Sequence, residues 1–243
     1  MRKRNLEICV FSLDAAMKAE NSGADRLELC SNPMEGGTTP HPALVTAACR
    51  KCNIPVYPII RPRGGGFCYS EDEFEMMKED ILFCKDAGCK GIATGVLLPD
   101  NRLDVIRMKQ LVELAHPMGV TFIRAFDLTP DPFEALEDVI ETGCERILTS
   151  GQKGKATDAP ELIEQLVRKA ANRISIMPGS GVRADNIRQI MDATNAIEIH
   201  SSARVFLPND SERADKLGFG QAVSCDENQI LEMRKVLDSI KVK

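Results

Sequence analysis

Short apolar runs alternate with amphipathic stretches along the whole chain, and this alternation is its most informative feature. Eight runs rich in β-branched residues predict strands, and the segments between them carry apolar residues at helical spacings of three and four. The predicted strands are Leu6 to Val10, Arg26 to Cys30, Val56 to Ile60, Gly91 to Val96, Thr121 to Asp127, Arg146 to Ser150, Ile174 to Pro178 and Ala196 to Ser202. Eight such units in 243 residues predict a (β/α)8 TIM barrel of the α/β class, whose usual length is about 250 residues.

Residues typical of helix ends and helix starts support the same division of the chain. Gly23, Gly88 and Gly143 each close a helical stretch just before a strand, where a left-handed cap suits glycine. Helix starts are predicted where a capping oxygen occurs, twice with a proline behind it, at Thr39-Pro40, Asp131-Pro132 and Asp158. No linker or low-complexity run interrupts the pattern, so we expect residues 1–243 to form a single domain.

Composition narrows the class of protein. Hydrophobic residues make up 43% of the chain and charged residues 28%, which excludes a disordered polypeptide. The net charge of −5 gives no reason to expect nucleic acid or an anionic membrane as partner, and no apolar run reaches the length of a membrane span. Nine cysteines, an odd number, without a secretory signal indicate reduced thiols and a cytoplasmic protein. The sequence leaves open whether the chain forms a homo-oligomer, either a dimer or a tetramer.

Polar residues at the carboxyl ends of the predicted strands are the candidates for chemistry, because that face carries the active site of such barrels. Side chains alternate along a strand, so Glu7 and Cys9 share one face of the first strand, and Glu28 and Cys30 share one face of the second. The apolar partners of these residues fit outward positions under the helices. We therefore expect two thiols and two carboxylates to converge inside the barrel.

The same alternation predicts that Asp127 points inward on the fifth strand and that Glu198 and His200 point inward on the eighth. A purely structural interpretation pairs these groups with Arg26, Arg61 or Arg124 in a buried ionic network. A functional interpretation notes that ionisable groups gather at active sites because their burial is costly elsewhere. On that interpretation, the candidate proton-transfer residues are Glu28, Asp127 and His200.

Two loops are candidates for binding an anion. Loops after strands seven and eight of many barrels bind phosphate, since small residues let backbone N–H groups approach it. Here those loops supply Ser180, Gly181 and Ser202, with a helix expected to begin near Arg183. Arginines are suited to clamp carboxylate or phosphate groups. The candidate anion site therefore consists of Arg61, Arg124, Ser180, Gly181 and Ser202.

Cysteine spacing suggests where a metal would bind. Cys49 and Cys52 have redox or metal spacing, yet they fall at a helix end on the amino-terminal face of the barrel, where a structural role is expected. Cys9 and Cys30 instead lie at strand ends on the functional face. Two soft thiolates suit Cu(I) better than Mg²⁺ or Ca²⁺.

At these residues the chain resembles the copper homeostasis protein CutC family over nearly its whole length. The resembling segments include Leu6-Glu7-Ile8-Cys9, Gly23 to Cys30, Glu35-Gly36-Gly37-Thr38-Thr39-Pro40, Ile60 to Gly65, Arg124-Ala125-Phe126-Asp127, Leu148 to Gly151 and Glu198 to Ala203. The resemblance implies a cytoplasmic barrel linked to copper handling, with Cys9 and Cys30 matching the cysteines proposed to bind Cu(I). It implies no settled reaction.

Two positions depart from the family's pattern. Ile123 stands where family members commonly have histidine, and Gly66 stands where they have aspartate after the double glycine. If the family's chemistry needed that histidine as acid or base, Glu28, Asp127 or His200 would have to replace it.

Three functional hypotheses remain open from the sequence. The first is a Cu(I)-binding protein that uses Cys9 and Cys30, with no organic cofactor. The second is an enzyme of unknown reaction that acts on a small phosphorylated or carboxylated metabolite. The third is a scaffold or oligomerisation protein without chemistry. The polar segment from Leu207 to Asp226 is expected to be an irregular loop that serves as a lid or an interface.

Overall fold

The computed structural model describes residues 4–209 and 211–240. Eight parallel strands occur at the predicted places, each within a few residues of its expected bounds. They are β1 (Asn5–Val10), β2 (Arg26–Leu29), β3 (Val56–Pro58), β4 (Gly91–Thr94), β5 (Gly119–Phe122), β6 (Arg146–Thr149), β7 (Ser175–Pro178) and β8 (Glu198–Ser201). Helices follow the strands and cover their outer faces, as the alternation predicts.

The helices found in the described ranges each bury one side, except the short helix α8, which has no buried residue. They are α1 (Leu13–Asn21), α2 (Pro42–Lys51), α3 (Glu71–Asp86), α4 (Val105–Ala115), α5 (Pro132–Thr142), α6 (Pro160–Ala170), α7 (Ile187–Thr194), α8 (Glu212–Lys216) and α9 (Glu227–Ser239). No helix within residues 4–209 and 211–240 is long and apolar enough to cross a membrane.

Local capping confirms one predicted helix start and shifts two. The side chain of Asp131 accepts hydrogen bonds from the first amides of α5, as predicted. Helix α2 begins two residues later than expected, because Thr39 exchanges hydrogen bonds with Arg61 and its hydroxyl is used there. Asp158 lies in a short 3-10 turn, and α6 begins only at Pro160.

The fifth strand differs most from its prediction. β5 ends at Phe122, and residues Arg124–Leu128 form a 3-10 helix in place of the continued strand. The apolar pattern of Ile123, Ala125 and Phe126 is therefore a buried turn rather than an extended segment. Parity along a strand cannot place Asp127 in the barrel interior, since Asp127 is not on the strand.

The strands lie in two four-stranded parallel sheets, ordered β3-β2-β1-β8 and β4-β5-β6-β7. A bridge between Ile59 and Ala93 joins the sheets after β3, and β7 lies beside β8 at the other junction. Strands that are consecutive in sequence are thus neighbours in space, and β8 returns to β1. This arrangement brings the carboxyl ends of all eight strands to one face.

The segment expected to be an irregular loop has regular structure instead. Strand β9 (Arg204–Phe206) pairs antiparallel with β10 (Val223–Cys225), and the short helix α8 lies between them. Several apolar side chains of the segment from β9 to β10, including Phe206, Leu217 and Phe219, are exposed. Backbone pairing between β9 and β10 supplies the order that the polar sequence did not predict.

Candidate functional site

The register of three strands places the inward side chains in two layers. In β1, Glu7 is level with Arg26 of β2 and with His200 of β8. One step nearer the carboxyl ends, Cys9 is level with Glu28. The lower layer therefore combines opposite charges, whereas the upper layer brings a thiol beside a carboxyl group.

The lower layer is a buried ionic network that fills the middle of the barrel. Arg26 forms ion pairs with Glu7 and, at 2.6 Å, with Glu198. Arg146 donates to the same oxygen of Glu198 at 2.9 Å. Burial opposes ionisation of Glu7, but Arg26 and a hydrogen bond with His200 outweigh it and hold the pKa of Glu7 well below its usual range. The structural interpretation of these groups therefore holds for this layer.

The upper layer holds both candidate metal ligands. The Sγ atoms of Cys9 and Cys30 are 3.6 Å apart, and Cys30 Sγ is 3.5 Å from Glu28 Oε2. Ligand atoms of all three residues lie within 4.8 Å of one another. Cys30 is fully buried, whereas Cys9 is 8% exposed. The structure thus brings together the thiols that sequence parity placed on neighbouring strands.

Both thiols are protonated at neutral pH. The hydrogen bond with Cys30 favours the Cys9 thiolate, but burial and the Glu28 carboxylate outweigh it and raise the pKa of Cys9 to about 11. Burial and the neighbouring Cys9 raise the pKa of Cys30 well above the value of a free thiol. Either thiolate will therefore form only when a cation replaces the proton.

His200 links the two layers. Its Nδ1 is 2.7 Å from Glu7 Oε1, and its Nε2 is 3.9 Å from Glu28 Oε2. Burial disfavours the imidazolium, but the hydrogen bond to Glu7 and the charge of Glu28 outweigh it and raise the pKa of His200. Burial raises the pKa of Glu28 despite the nearby His200. The environment thus shifts the pKa values of Glu28 and His200 in the same direction, upward.

Cys9, Glu28 and His200 form the floor of a cleft of about 340 Å³ at the carboxyl ends of the strands, which we call the mouth cleft. Its floor and walls include Cys9, Glu28, Arg61, Ser180, His200 and Arg204. Ligand sites are typically clefts of this size that hold a few convergent polar groups.

The predicted anion-binding loops both reach the mouth cleft. Ser180, Gly181 and Ser202 line it, and their backbone N–H groups donate no hydrogen bond to any residue in the described ranges. Ser180 and Gly181 have φ angles of +76° and +72°, which turn the chain sharply at this point. Helix α7 begins at Ile187, four residues beyond the predicted start, so Ser180 and Gly181 line the cleft from a loop rather than from a helix.

The two predicted arginines both line the cleft but differ in their partners. Arg61 donates hydrogen bonds of 2.7 Å to the carbonyls of Glu35, Gly37 and Gly65, and so holds two loops in place. Arg124 pairs with Asp127 at 2.7 Å. The glycine-rich loop at Gly65 is therefore pinned by Arg61 rather than left flexible.

Asp127 lies beside the cleft rather than in its lining. Its carboxylate accepts hydrogen bonds from the hydroxyls of Thr149 and Ser150 and from the amides of Ser150 and Gln152. Together with the ion pair to Arg124, these contacts occupy both carboxylate oxygens. The geometry makes Asp127 the organiser of the loop after β6.

The second cysteine pair is not the one that its spacing suggests. Cys49 Sγ is 3.4 Å from Cys89 Sγ, a contact between the end of α2 and the start of β4. Cys52 takes no part in this contact. All nine cysteines are free thiols.

Sequence reasoning missed three arginines. Arg146 completes the lower layer, and its position two residues before the inward Leu148 on β6 was an available signal. Arg183 and Arg204 line the mouth cleft. They follow the two predicted anion-binding turns in the sequence, so position alone could have found them.

Comparison with known proteins identifies the family of this chain. A sequence model of the CutC family matches residues 4–205. The CutC family protein of Erwinia tasmaniensis is 47% identical over 200 residues, which cover 82% of this chain and 79% of the relative. The CutC family protein of Salmonella schwarzengrund is 43% identical over 223 residues, which cover 91% and 89%.

Solved structures extend the comparison to the fold. The CutC protein of Streptococcus agalactiae, described provisionally as a copper homeostasis protein, superimposes with a TM-score of 0.78 at 31% identity. The match covers 82% of this chain and 98% of that one. Phosphoribosylanthranilate isomerase of Thermotoga maritima gives a TM-score of 0.62 at 11% identity, covering 98% and 100%, and shows the barrel fold alone.

Proposed function

Because the chain belongs to the CutC family, we propose that it acts in copper homeostasis by binding Cu(I) as cargo between Cys9 and Cys30. The observation that carries the proposal is the 3.6 Å separation of the two sulfurs beside the Glu28 carboxyl group. Thiolate ligands select Cu(I) over hard cations. We place the role in the cytoplasm, because reduced thiols persist there.

The spacing of the sulfurs suits a shared metal ion. With a metal–thiolate bond of about 2.3 Å, as for zinc, two thiolates of a trigonal or tetrahedral site lie roughly 3.8–4.0 Å apart. The observed separation is 3.6 Å. A displacement of either sulfur atom by a few tenths of an ångström would therefore allow both to bind one metal ion. Glu28, whose ligand oxygen lies within 4.8 Å of both sulfurs, is the available third ligand.

The surrounding charges also support Cu(I) rather than a divalent ion. Two thiolates and Cu(I) together carry one negative charge, which has to be balanced in a buried site. The pKa of His200 is raised because its hydrogen bond to Glu7 outweighs burial, so His200 can supply the compensating positive charge. Burial raises the pKa of Glu28 and so disfavours a further negative charge beside the two thiolates.

A competition titration tests the proposal. Reduced, metal-free protein is titrated anaerobically with Cu(I) against a chromophoric chelator, and Cys9→Ser/Cys30→Ser is compared with Cys49→Ser/Cys89→Ser. The second pair is a matched control because its sulfurs lie at a similar distance of 3.4 Å, outside the mouth cleft. We expect one tightly bound Cu(I) in wild type and control, and its loss in the first variant. Retention of tight binding by the first variant would sink the proposal.

One observation favours a second candidate function, an enzyme acting on a small phosphorylated or carboxylated metabolite. Glu28 and His200 face each other across 3.9 Å on the floor of the mouth cleft. Burial favours the protonated form of Glu28 by raising its pKa, and a carboxyl group in that form can give its proton to a bound molecule. Under this alternative Glu28 and His200 exchange protons, and Asp127 orients Arg124.

A further inference from the structure

Positive charge in the mouth cleft greatly exceeds its negative charge. The residues that line it include Arg61, Arg124, Arg183 and Arg204, against the single carboxyl group of Glu28. Among residues 4–209 and 211–240, only Arg124 of these four forms an ion pair, with Asp127. The chain as a whole carries a net charge of −5, so this concentration of arginine is a local feature.

Several donors of these arginines have no acceptor within the described part of the chain. Arg61 is 5% exposed, and its Nε is buried without a hydrogen-bond partner. Arg183 and Arg204 each use one nitrogen, on the carbonyls of Arg204 and Pro33 respectively. Their remaining N–H groups are free to meet a ligand. A guanidinium presents five N–H donors, so most of the capacity of these side chains is unused.

The backbone of the loops after β7 and β8 adds donors to the same cleft. The amides of Ser180, Gly181 and Ser202 are unpaired among the described residues, and these residues line the same cleft. Successive amides in a sharp turn form a concave site for an anion. Amide and guanidinium donors without acceptors among the described residues therefore belong to residues that line one cleft, and an acceptor with several oxygens would satisfy them together.

We propose that the mouth cleft binds the phosphate group of a small phosphorylated metabolite, held by the amides of Ser180, Gly181 and Ser202 and by Arg183 and Arg204. A phosphate monoester offers three strong acceptor oxygens and nearly two negative charges. A carboxylate has only two oxygens and one charge, and would leave more of these donors unpaired. The cleft volume of about 340 Å³ lies at the lower end of the range for small-molecule sites.

This inference is independent of Cu(I) binding. It requires neither Cys9 nor Cys30, and the proposed phosphate donors come from the loops after β7 and β8 rather than from β1 and β2. A molecule held there would extend its remaining atoms toward Glu28 and His200 on the floor. The cleft would then take a phosphorylated ligand whether or not a metal is bound beneath it.

Titration of ¹⁵N-labelled, metal-free protein tests the inference. The probes are inorganic phosphate, glycerol 3-phosphate and glycerate, each added in the presence of reductant and chelator. We expect glycerol 3-phosphate to shift the amide resonances of Ser180, Gly181 and Ser202, and to bind at least tenfold more tightly than glycerate. Binding of inorganic phosphate should shift the same three resonances.

Substitutions give the second arm of the test. Arg183→Gln and Arg204→Gln should each weaken glycerol 3-phosphate at least tenfold, which corresponds to about 1.4 kcal/mol. The matched control is Arg168→Gln, which removes the same charge from an exposed position on α6 outside the cleft. Unmoved amide resonances, equal affinity for glycerate, or equal weakening by the control would each overturn the inference. Loss of Cu(I) binding in Cys9→Ser/Cys30→Ser would leave the phosphate result unchanged.

Discussion

Replacing Arg26 with methionine removes the centre of the lower ionic layer. Arg26 is 6% exposed and pairs with both Glu7 and Glu198. After the substitution Glu198 keeps Arg146 at 2.9 Å, but Glu7 keeps only His200. Leaving a buried charge without its partner costs about 3–5 kcal/mol, and we expect Arg26→Met to lower the free energy of unfolding by that amount at pH 7.

The pH dependence of this loss follows from the direction of the Glu7 shift. Arg26 and His200 hold the pKa of Glu7 below its ordinary value of 4.5 against the effect of burial. A carboxyl group with a lowered folded-state pKa stabilises the fold above its unfolded pKa, and this contribution is lost as the pH falls through the folded value. The difference between wild type and Arg26→Met should therefore stay nearly constant from pH 7 down to the ordinary value of 4.5 and narrow as the pH falls below it.

Urea unfolding followed by circular dichroism measures both effects. Arg173→Met is the matched control, because Arg173 holds Glu137 with two hydrogen bonds of 2.6 and 2.9 Å at the surface, where ion pairs contribute little. Adding Glu7→Gln to Arg26→Met should restore part of the lost stability by removing the unpaired charge. A loss no larger than that of the control, or one that does not narrow as the pH falls below 4.5, would refute the reasoning.

Three further predictions test other parts of the structure. The hydrogen bond with Cys30 favours the Cys9 thiolate, but burial and Glu28 outweigh it and raise the pKa of Cys9 to about 11; the pKa of Cys30 is also raised. Binding of Cu(I) by both thiolates therefore displaces two protons. Its apparent affinity should fall about a hundredfold per pH unit below pH 8, and a tenfold slope in chelator competition would mean a single thiolate. Asp127→Ala should lower the unfolding free energy by about 1–3 kcal/mol in urea titrations, because it leaves the amides that Asp127 binds unpaired. The Cu(I) affinity of this variant should be unchanged, and a joint loss would contradict the separate roles given to these groups. Gly91→Ala should lower Tm, because the added Cβ would lie 2.1 Å from the Tyr57 ring; an unchanged Tm would show that the ring moves aside freely.

The fold followed from the sequence because each strand is a short apolar run flanked by helical periodicity. The same local pattern was wrong at the fifth strand, where Ile123 and Ala125 are buried in a 3-10 turn rather than on an extended face. Burial alone does not distinguish these conformations over a few residues. The pairing of β9 with β10 depends on backbone hydrogen bonds between distant residues, which a polar pattern does not reveal.

Parity brought Cys9, Glu28 and Cys30 together correctly, because neighbouring parallel strands keep their registers over four or five residues. It did not separate the lower ionic layer from the upper thiol layer, since that depends on which strand positions are level. The contact between Cys49 and Cys89 was also beyond the sequence, because it joins a helix end to a distant strand.

X-ray absorption at the copper edge of the Cu(I)-loaded protein tests the central claim most directly. We predict a first shell with two sulfur ligands, and the loss of that shell in Cys9→Ser/Cys30→Ser but not in Cys49→Ser/Cys89→Ser. A shell made only of nitrogen and oxygen, or one whose sulfur ligands survive the first substitution, would contradict Cu(I) binding by Cys9 and Cys30.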